Sequence, residues 1–409
     1  MRSEGAAGIV ARLRVRASNR IAPPGQERVP VSHDDLRRAA EIAAAGWTLP
    51  PPLVHRRGES LRIAWVCVPP VEGAGGHTTM LRIVAELERA GHECTLYLQD
   101  RHGWSLDQHR ATLSRWWPSL RASVRDVTQG IDDSHAIFAT SWQTAYPVLA
   151  SRARGVRFYF VQDFEPAFYP AGTEALLAEA TFRFGFHGVT AGRWLSDVLR
   201  RDYGMPADHF DFGCDLDRYG LDRGAASSRK GVCFYARPST ARRACSLGLA
   251  ALELLASRHP EVDIHLFGEP VKRVGFPATL HGKTSPDQLN RLYNRCAAGL
   301  VLSATNVSLV PNEMLAAGCI PVVNEADHNR IVLDNDEVVY APATPFELES
   351  ALSRLVERSL PAREAAAEAA AASVRARSWR DAGAAVERIV RCVVEAGARS
   401  TPEPSRSVA

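Results

Sequence analysis

The sequence predicts an α/β chain of two Rossmann-like, doubly wound domains facing a central cleft. Three observations carry that expectation. Apolar runs of strand length alternate with helical stretches from residue 61 onward. The alternation pauses at Ala225-Ala-Ser-Ser-Arg-Lys-Gly231, which reads as a linker, and then restarts. In each half, a polar or glycine-rich loop follows a buried strand and opens a helix, which is where open α/β sheets bind anionic ligands. At 409 residues the chain is also too long for one typical core.

In chain order, residues 1–59 form an N-terminal extension, a basic arm followed by a helix. Arg2, Arg12, Arg14, Arg16 and Arg20 alternate there with Ile9, Val10, Leu13 and Val15. A signal peptide needs a longer uncharged core, so the arm reads either as solvated or as a basic amphipathic helix in peripheral contact with an anionic membrane surface. The first domain, 60–224, opens with a strand at 61–68, the loop Pro69-Pro-Val-Glu-Gly-Ala-Gly-Gly76, a helix over 77–90 stopped by Gly91, and a strand at 94–98. That is one βαβ unit. Further strands are expected at 136–139, 157–161 and 188–190, with helices at 144–152, 174–182 and 193–201. The second domain, 225–377, has expected strands at 232–236, 263–267, 299–303, 320–323 and 337–340. Its helices are expected at 242–258, 286–295, 309–317, 345–358 and, from alanine content, 362–376. Ser378 as N-cap and Asp381 in the third helical position start a final helix over 378–396. The tail, 397–409, is polar with prolines and reads as disordered.

Composition excludes several functions. A net charge of +3, with no aromatic-interleaved basic run, argues against nucleic acid. No stretch of 18 apolar residues exists to span a membrane. The eight cysteines form no Cys-x-x-Cys pair and several lie in apolar runs, as expected of reduced thiols in a cytoplasmic protein without structural zinc.

The candidate chemistry lies at strand ends. Gly73-Ala-Gly-Gly-His77 lets backbone N–H groups approach a phosphate, yet it is neither Gly-x-Gly-x-x-Gly nor a P-loop. Arg237 ends the first strand of the second domain and Arg242-Arg243 opens the next helix, which suits bidentate diphosphate binding. The alternative is a solvated first turn. Gln162-Asp163-Phe164-Glu165 ends a first-domain strand, where the acids either orient an acceptor hydroxyl or cap a turn. Asp215-Leu216-Asp217 spells a metal-binding Asp-x-Asp, but its place before the linker argues against that role. Finally, Thr305-Asn306-Val307-Ser308 joins a buried strand to a helix opening at Leu309. Glu313, one turn inside, cannot hold phosphate but can accept from a ribose diol, unless it is simply a surface carboxylate.

Together, the Gly-Gly loop, the arginine cluster and the helix bearing Glu313 resemble the two-domain (GT-B) glycosyltransferases, family 4 in particular. That family carries Glu-x7-Glu; Glu313 matches the second Glu, and Thr305 stands where the first belongs. The chain also resembles the WsaF-like rhamnosyltransferases over roughly residues 60–395. The matching motifs are Tyr159-Phe-Val-Gln-Asp-Phe-Glu-Pro166, Phe182-Arg-Phe-Gly-Phe-His-Gly-Val-Thr-Ala191, Phe234-Tyr-Ala-Arg-Pro-Ser-Thr-Ala-Arg-Arg243, Ile264-His-Leu-Phe-Gly268 and Thr305-Asn-Val-Ser-Leu-Val-Pro-Asn-Glu313. The resemblance implies a retaining, metal-independent transfer of a sugar from a nucleotide sugar, dTDP-rhamnose first among donors and a UDP- or GDP-sugar otherwise. The acceptor would be a hydroxyl of a glycan or lipid-linked glycan in cell-surface polysaccharide synthesis, at the inner face of the membrane. It implies a donor site of Gly75, Gly76, Arg237, Arg242, Arg243, Gly268, His281, Lys283, Thr305, Asn306, Ser308, Leu309 and Glu313. Acceptor-side candidates are His77, Gln162, Asp163 and Glu165. Arg237, Arg242, Gln162 and Asp163 are the catalytic candidates, and the last helix would cross back to the first domain. Two other readings stay open: a catalytically idle nucleotide-sugar-binding protein and a Rossmann dehydrogenase. Oligomeric state is not legible.

Overall fold

The computed structural model describes residues 31–71, 73–100, 103–224 and 229–399. The basic arm, part of the linker and the tail from residue 400 lie outside the described residues. Helix α1 (His33–Ala44) is capped by Ser32, whose hydroxyl accepts from the Asp35 N–H at 3.0 Å. The first domain then runs β1 (Arg62–Cys67), α2 (Gly75–Arg89), β2 (Glu93–Leu98), α3 (Leu106–Trp116), β3 (Ser123–Asp126), β4 (Ala136–Ala139), α4 (Trp142–Ala150), β5 (Val156–Val161), α5 (Thr173–Ala180), β6 (His187–Ala191), α6 (Arg193–Tyr203) and β7 (Ala207–Phe210). Its sheet has the order β3-β2-β1-β4-β5-β6-β7, every pair parallel.

The second domain repeats the plan. It runs β8 (Gly231–Ala236), α7 (Cys245–Arg258), β9 (Ile264–Gly268), β10 (Thr279–Gly282), α8 (Pro286–Arg295), β11 (Cys296–Val301), α9 (Val310–Ala316), β12 (Ile320–Asn324), α10 (Asp327–Leu333), β13 (Val339–Ala341), α11 (Pro345–Val356) and α12 (Leu360–Ser373). The order β10-β9-β8-β11-β12-β13 is again all parallel. In both sheets the strand order reverses beside the first strand, between β1 and β4 and between β8 and β11, so each has a crevice at the carboxyl ends of those strands.

Aromatic rings stack along one of the first sheet's two covered faces. Trp65 stacks on Phe138 at 4.2 Å, Phe138 on Phe158 at 4.8 Å, and Phe160 on Phe210 at 5.4 Å. All five are buried; the first two pairs pin β1, β4 and β5 in register, and the third bridges β5 and β7 across β6. Helix α13 (Trp379–Arg399) leaves the second domain and lies along α2. Ser378 caps it, accepting from the Asp381 N–H at 3.1 Å. Gly383 permits the close approach, because a Cβ there would stand 2.3 Å from the Glu86 Cβ. Arg391 then donates to the Glu59 carbonyl at 3.0 Å.

At the candidate site, two helix starts depart from expectation. Residues 242–258 do not form one helix: Ala244 is left-handed (φ 44°), so Arg242 and Arg243 sit in a 3-10 turn, Ala241–Arg243, and α7 begins at Cys245. Conversely, α2 begins at Gly75, which places Gly75 and Gly76 in its first turn rather than in the loop.

Candidate functional site

The site lies where the loops after β8 and β11 of the second domain meet the chain leaving β5 of the first. Arg237, directly after β8, donates through Nε to Glu269 at 2.8 Å and through Nη1 to the Tyr235 hydroxyl at 3.1 Å. Glu269 also accepts from the Ser239 N–H and hydroxyl, at 2.9 and 2.7 Å. It can follow β9 so closely because Gly268 has φ 113°, and a Cβ there would lie 2.6 Å from the Ala236 carbonyl oxygen. Five residues on, Arg242 crosses the cleft: its Nε donates to Asp163 at 3.1 Å and its guanidinium lies 3.9 Å from the centre of the Phe168 ring. Arg243 is buried and donates to the Asn306 carbonyl at 3.3 Å. Burial pulls its pKa down, and the nearby Asp163 charge opposes that shift.

Asn306 is the other link between domains. Its N–H donates to Asp163 at 2.8 Å, and its side-chain amide donates to the carbonyls of Gln162 and Ala191 at 2.9 and 2.8 Å. The loop is braced from behind, since Ser303 Oγ donates to the Asn306 carbonyl at 2.6 Å. In the same loop the hydroxyls of Thr305 and Ser308 are buried without a partner. Leu309, half-buried, precedes α9.

On the first-domain side, Gly76 faces the Gln162 amide; a Cβ there would lie 3.6 Å from Nε2. His77 accepts from the Val71 N–H at 3.3 Å through Nδ1, and burial lowers its pKa to about 4, so the ring is neutral at pH 7. Glu165 accepts from the Trp142 N–H at 2.5 Å and from the Tyr159 hydroxyl at 3.1 Å. Burial raises its pKa to about 7, against the pull of those two donors.

Glu313 sits on α9, half-buried, in a second group of charges. Burial raises its pKa to about 7; the Arg82 charge opposes the shift and Asp215 adds to it. Arg82 itself pairs with Asp215 and covers the Trp379 ring at 4.6 Å. Asp215 is therefore held by an arginine, while Asp217 is exposed. His281 lies on edge strand β10, its Nε2 3.2 Å from His265 Nδ1, and Lys283, two residues on, is exposed. So Arg242, Arg243, Asn306, Gln162 and Asp163 are drawn into one cluster, with Arg237 beside them on the same strand end. Glu313 belongs to a neighbouring cluster, and His281 pairs with a second-domain histidine instead.

Sequence reasoning missed Arg82 and Phe168. Arg82 stands seven residues after Gly75 on the same helix, hence two turns along on one face. Phe168 carries no such signal. Chemically, the cluster offers guanidiniums and buried hydroxyls for an anion with several acceptor oxygens, facing acids on the other wall.

Residues 230–353 match the family described as WsaF, C-terminal domain. The chain is 32% identical over 268 residues to the O-antigen biosynthesis protein RfbC of Myxococcus xanthus; the match takes in 64% of this chain but only 21% of that protein. Among solved structures, it superposes on sucrose-phosphate synthase from Thermosynechococcus elongatus with TM-score 0.62 and 13% identity, covering 82% of this chain and 99% of that one. Anabaena Alr3699/HepE, solved with UDP-glucose, gives TM-score 0.61 and 14% identity over 82% and 100% of the two chains. WaaG, a glycosyltransferase involved in lipopolysaccharide biosynthesis, gives 0.60 and 14% over 80% and 99%. At these identities the likeness is one of fold, and that fold is GT-B.

Proposed function

We propose that this chain, WsaF-like in its second domain and GT-B in fold, is a glycosyltransferase that moves a sugar from a nucleotide sugar to a hydroxyl in polysaccharide assembly. One observation carries the reading. Three arginines, Arg237, Arg242 and Arg243, gather at the carboxyl end of β8, at the crevice between β8 and β11, opposite Gln162, Asp163 and Glu165 of the other domain. The RfbC relative, named for O-antigen biosynthesis, and HepE, solved with UDP-glucose, agree with it.

In this reading the donor diphosphate lies against the arginines and the hydroxyls of Thr305 and Ser308, which then gain the partners they lack. The guanidiniums stabilise charge developing on the leaving diphosphate in a site sheltered from water. Glu313 accepts from the nucleotide ribose. The acceptor hydroxyl enters from the side of Gln162, Asp163 and Glu165, and transfer proceeds with retention, the leaving phosphate taking the proton on the same face. No metal is required, because the arginines supply the positive charge. dTDP-rhamnose is the leading donor and a UDP- or GDP-sugar the next.

The test is thermal stabilisation across dTDP, UDP, GDP and NADH, followed by transfer to a pooled acceptor extract. A ligand at 100 times its Kd adds about 2.7 kcal/mol. Preference for GDP would replace the dTDP assignment. Response to NADH alone would replace the glycosyltransferase reading with a dehydrogenase. Thr305, in the position of the family's first Glu, favours one second reading, an idle nucleotide-sugar-binding protein. Tight nucleotide-sugar binding with neither transfer nor hydrolysis would establish it.

A further inference from the structure

We propose that the Asp163 carboxylate is a resident occupant of the donor-diphosphate cradle, and that the donor displaces it on binding. The inference rests on the glycosyltransferase reading and adds an exchange step to it.

The carboxylate takes its hydrogen bonds from the groups that would hold a phosphate. One oxygen, Oδ1, accepts from the Asn306 N–H at 2.8 Å and from the N–H of its own neighbour Phe164 at 2.9 Å. The other, Oδ2, accepts from Arg242 Nε at 3.1 Å. The two second-domain donors come from the loops after β8 and β11, adjacent strands that flank the crevice. An anion bridging those loops is what the switch point of such a sheet accommodates. Here the anion is a side chain from the opposite domain, and it is well sheltered, with 13% of its surface exposed.

The fit is also incomplete in the way expected of a stand-in. A carboxylate has two oxygens, and it leaves the buried Thr305 and Ser308 hydroxyls without partners. A diphosphate brings more acceptor oxygens and a higher charge. It cannot share the cradle with Asp163, since both anions would need the same Arg242 and Asn306 donors and would repel each other there. One must leave.

Exchange does not require the domains to part. The Asn306 side-chain amide ties the loop to the Gln162 and Ala191 carbonyls independently of Asp163. Rotation of one side chain therefore vacates the cradle while its walls stay in place. The displaced carboxylate moves towards the acceptor wall, where Gln162 and Glu165 stand. Donor arrival would thereby release that side chain to the acceptor side, and an enzyme without donor would keep it engaged with Arg242.

The affinity of dTDP, UDP and inorganic pyrophosphate for the full chain, measured by titration calorimetry, tests this. Asp163→Asn keeps an acceptor for the Asn306 N–H but removes the charge; Asp163→Ala removes both. Because a resident competitor is lost, both variants should bind the diphosphates at least about 5-fold more tightly than the wild type. Turnover should fall in the same variants, separating the exchange from a merely structural role, which would weaken both. A wild type that binds dTDP or UDP, with either variant binding equally or more weakly at unchanged melting temperature, overturns the exchange alone. Tighter pyrophosphate binding in the variants without any preference for nucleotides upholds the exchange and overturns the donor reading. Failure of every form to bind any of the three probes overturns both.

Discussion

The side-chain amide of Asn306 donates to the main-chain carbonyl of Gln162 at 2.9 Å, fastening the loop after β11 of one sheet to the carboxyl end of β5 in the other. A second bond, 2.8 Å to the Ala191 carbonyl, completes the fastening, and the residue is fully buried. Asn306→Ala would remove both donors and leave two sheltered carbonyls less well satisfied. The expected cost is about 2–4 kcal/mol, read as a fall in urea midpoint. Asn306→Asp, which turns a charged oxygen towards the same carbonyls, should cost more. A variant as stable as the wild type would mean that the domains are held elsewhere.

Arg237 is the most direct probe of the proposed chemistry. It is half-buried and fixed by Glu269 and Tyr235, so its guanidinium arrives pre-oriented. Arg237→Ala should lower turnover by about 100-fold or more, the usual penalty for deleting a donor aimed at developing charge. Arg237→Lys should recover little, because a point charge lacks the planar fork. Single-turnover rates with saturating donor separate this from weakened binding. Full turnover in Arg237→Ala would remove the arginine cluster from the mechanism.

Glu313 gives a pH dependence whose sign can be worked out. Its carboxyl is raised from 4.5 to about 7, chiefly by burial. The folded chain therefore holds this proton more tightly than the unfolded one. Its contribution to stability falls as pH rises between those two values and is flat above them. Nucleotide binding runs the other way: ribose hydroxyls donating to Glu313 favour the ionised form. Affinity should thus rise from about pH 6 to about pH 8, with proton release on binding. Calorimetry in two buffers of different ionisation heat measures that release. Glu313→Gln should abolish it, whereas Glu165→Gln, removing the other carboxyl raised to about 7, should leave it. Release that persists in Glu313→Gln assigns the proton elsewhere.

What the sequence concealed has a physical pattern. The strands it failed to mark, β3, β7 and β10, are all sheet edges of four residues with polar side chains: Ser-Val-Arg-Asp, Ala-Asp-His-Phe and Thr-Leu-His-Gly. An edge strand is wetted on one side, so it needs no continuous apolar run. The interior strands, buried on both faces, were legible for the opposite reason. At the site, Arg237, Arg242 and Asp163 were legible as strand-end charges. The pairing of Asp163 with Arg242 and Asn306 was not, because it joins residues 79 and 143 positions apart through the docking of two domains. The Arg242-Arg243 turn was misread as helix because only the left-handed Ala244 separates it from α7.

The docking itself can be tested at Gly192, which directly follows β6 of the first domain with φ 87°. A Cβ there would lie 2.7 Å from Val332 Cγ1, on α10 of the second domain. Gly192→Ala therefore carries two penalties, one from the backbone conformation and one from wedging the domains apart. Together they should cost about 1–3 kcal/mol and enlarge the radius of gyration in solution scattering. The two parts are separable, because Val332→Ala removes the obstructing methyl groups without touching residue 192. Alone, Val332→Ala is a buried truncation and destabilises. Combined with Gly192→Ala, it should cost less than the sum of the two singles and restore the scattering profile. The residual deficit then measures the backbone term. Strict additivity would show that the alanine methyl never meets Val332, and that the domains are spaced wider in solution than the close approach at Gly192 implies.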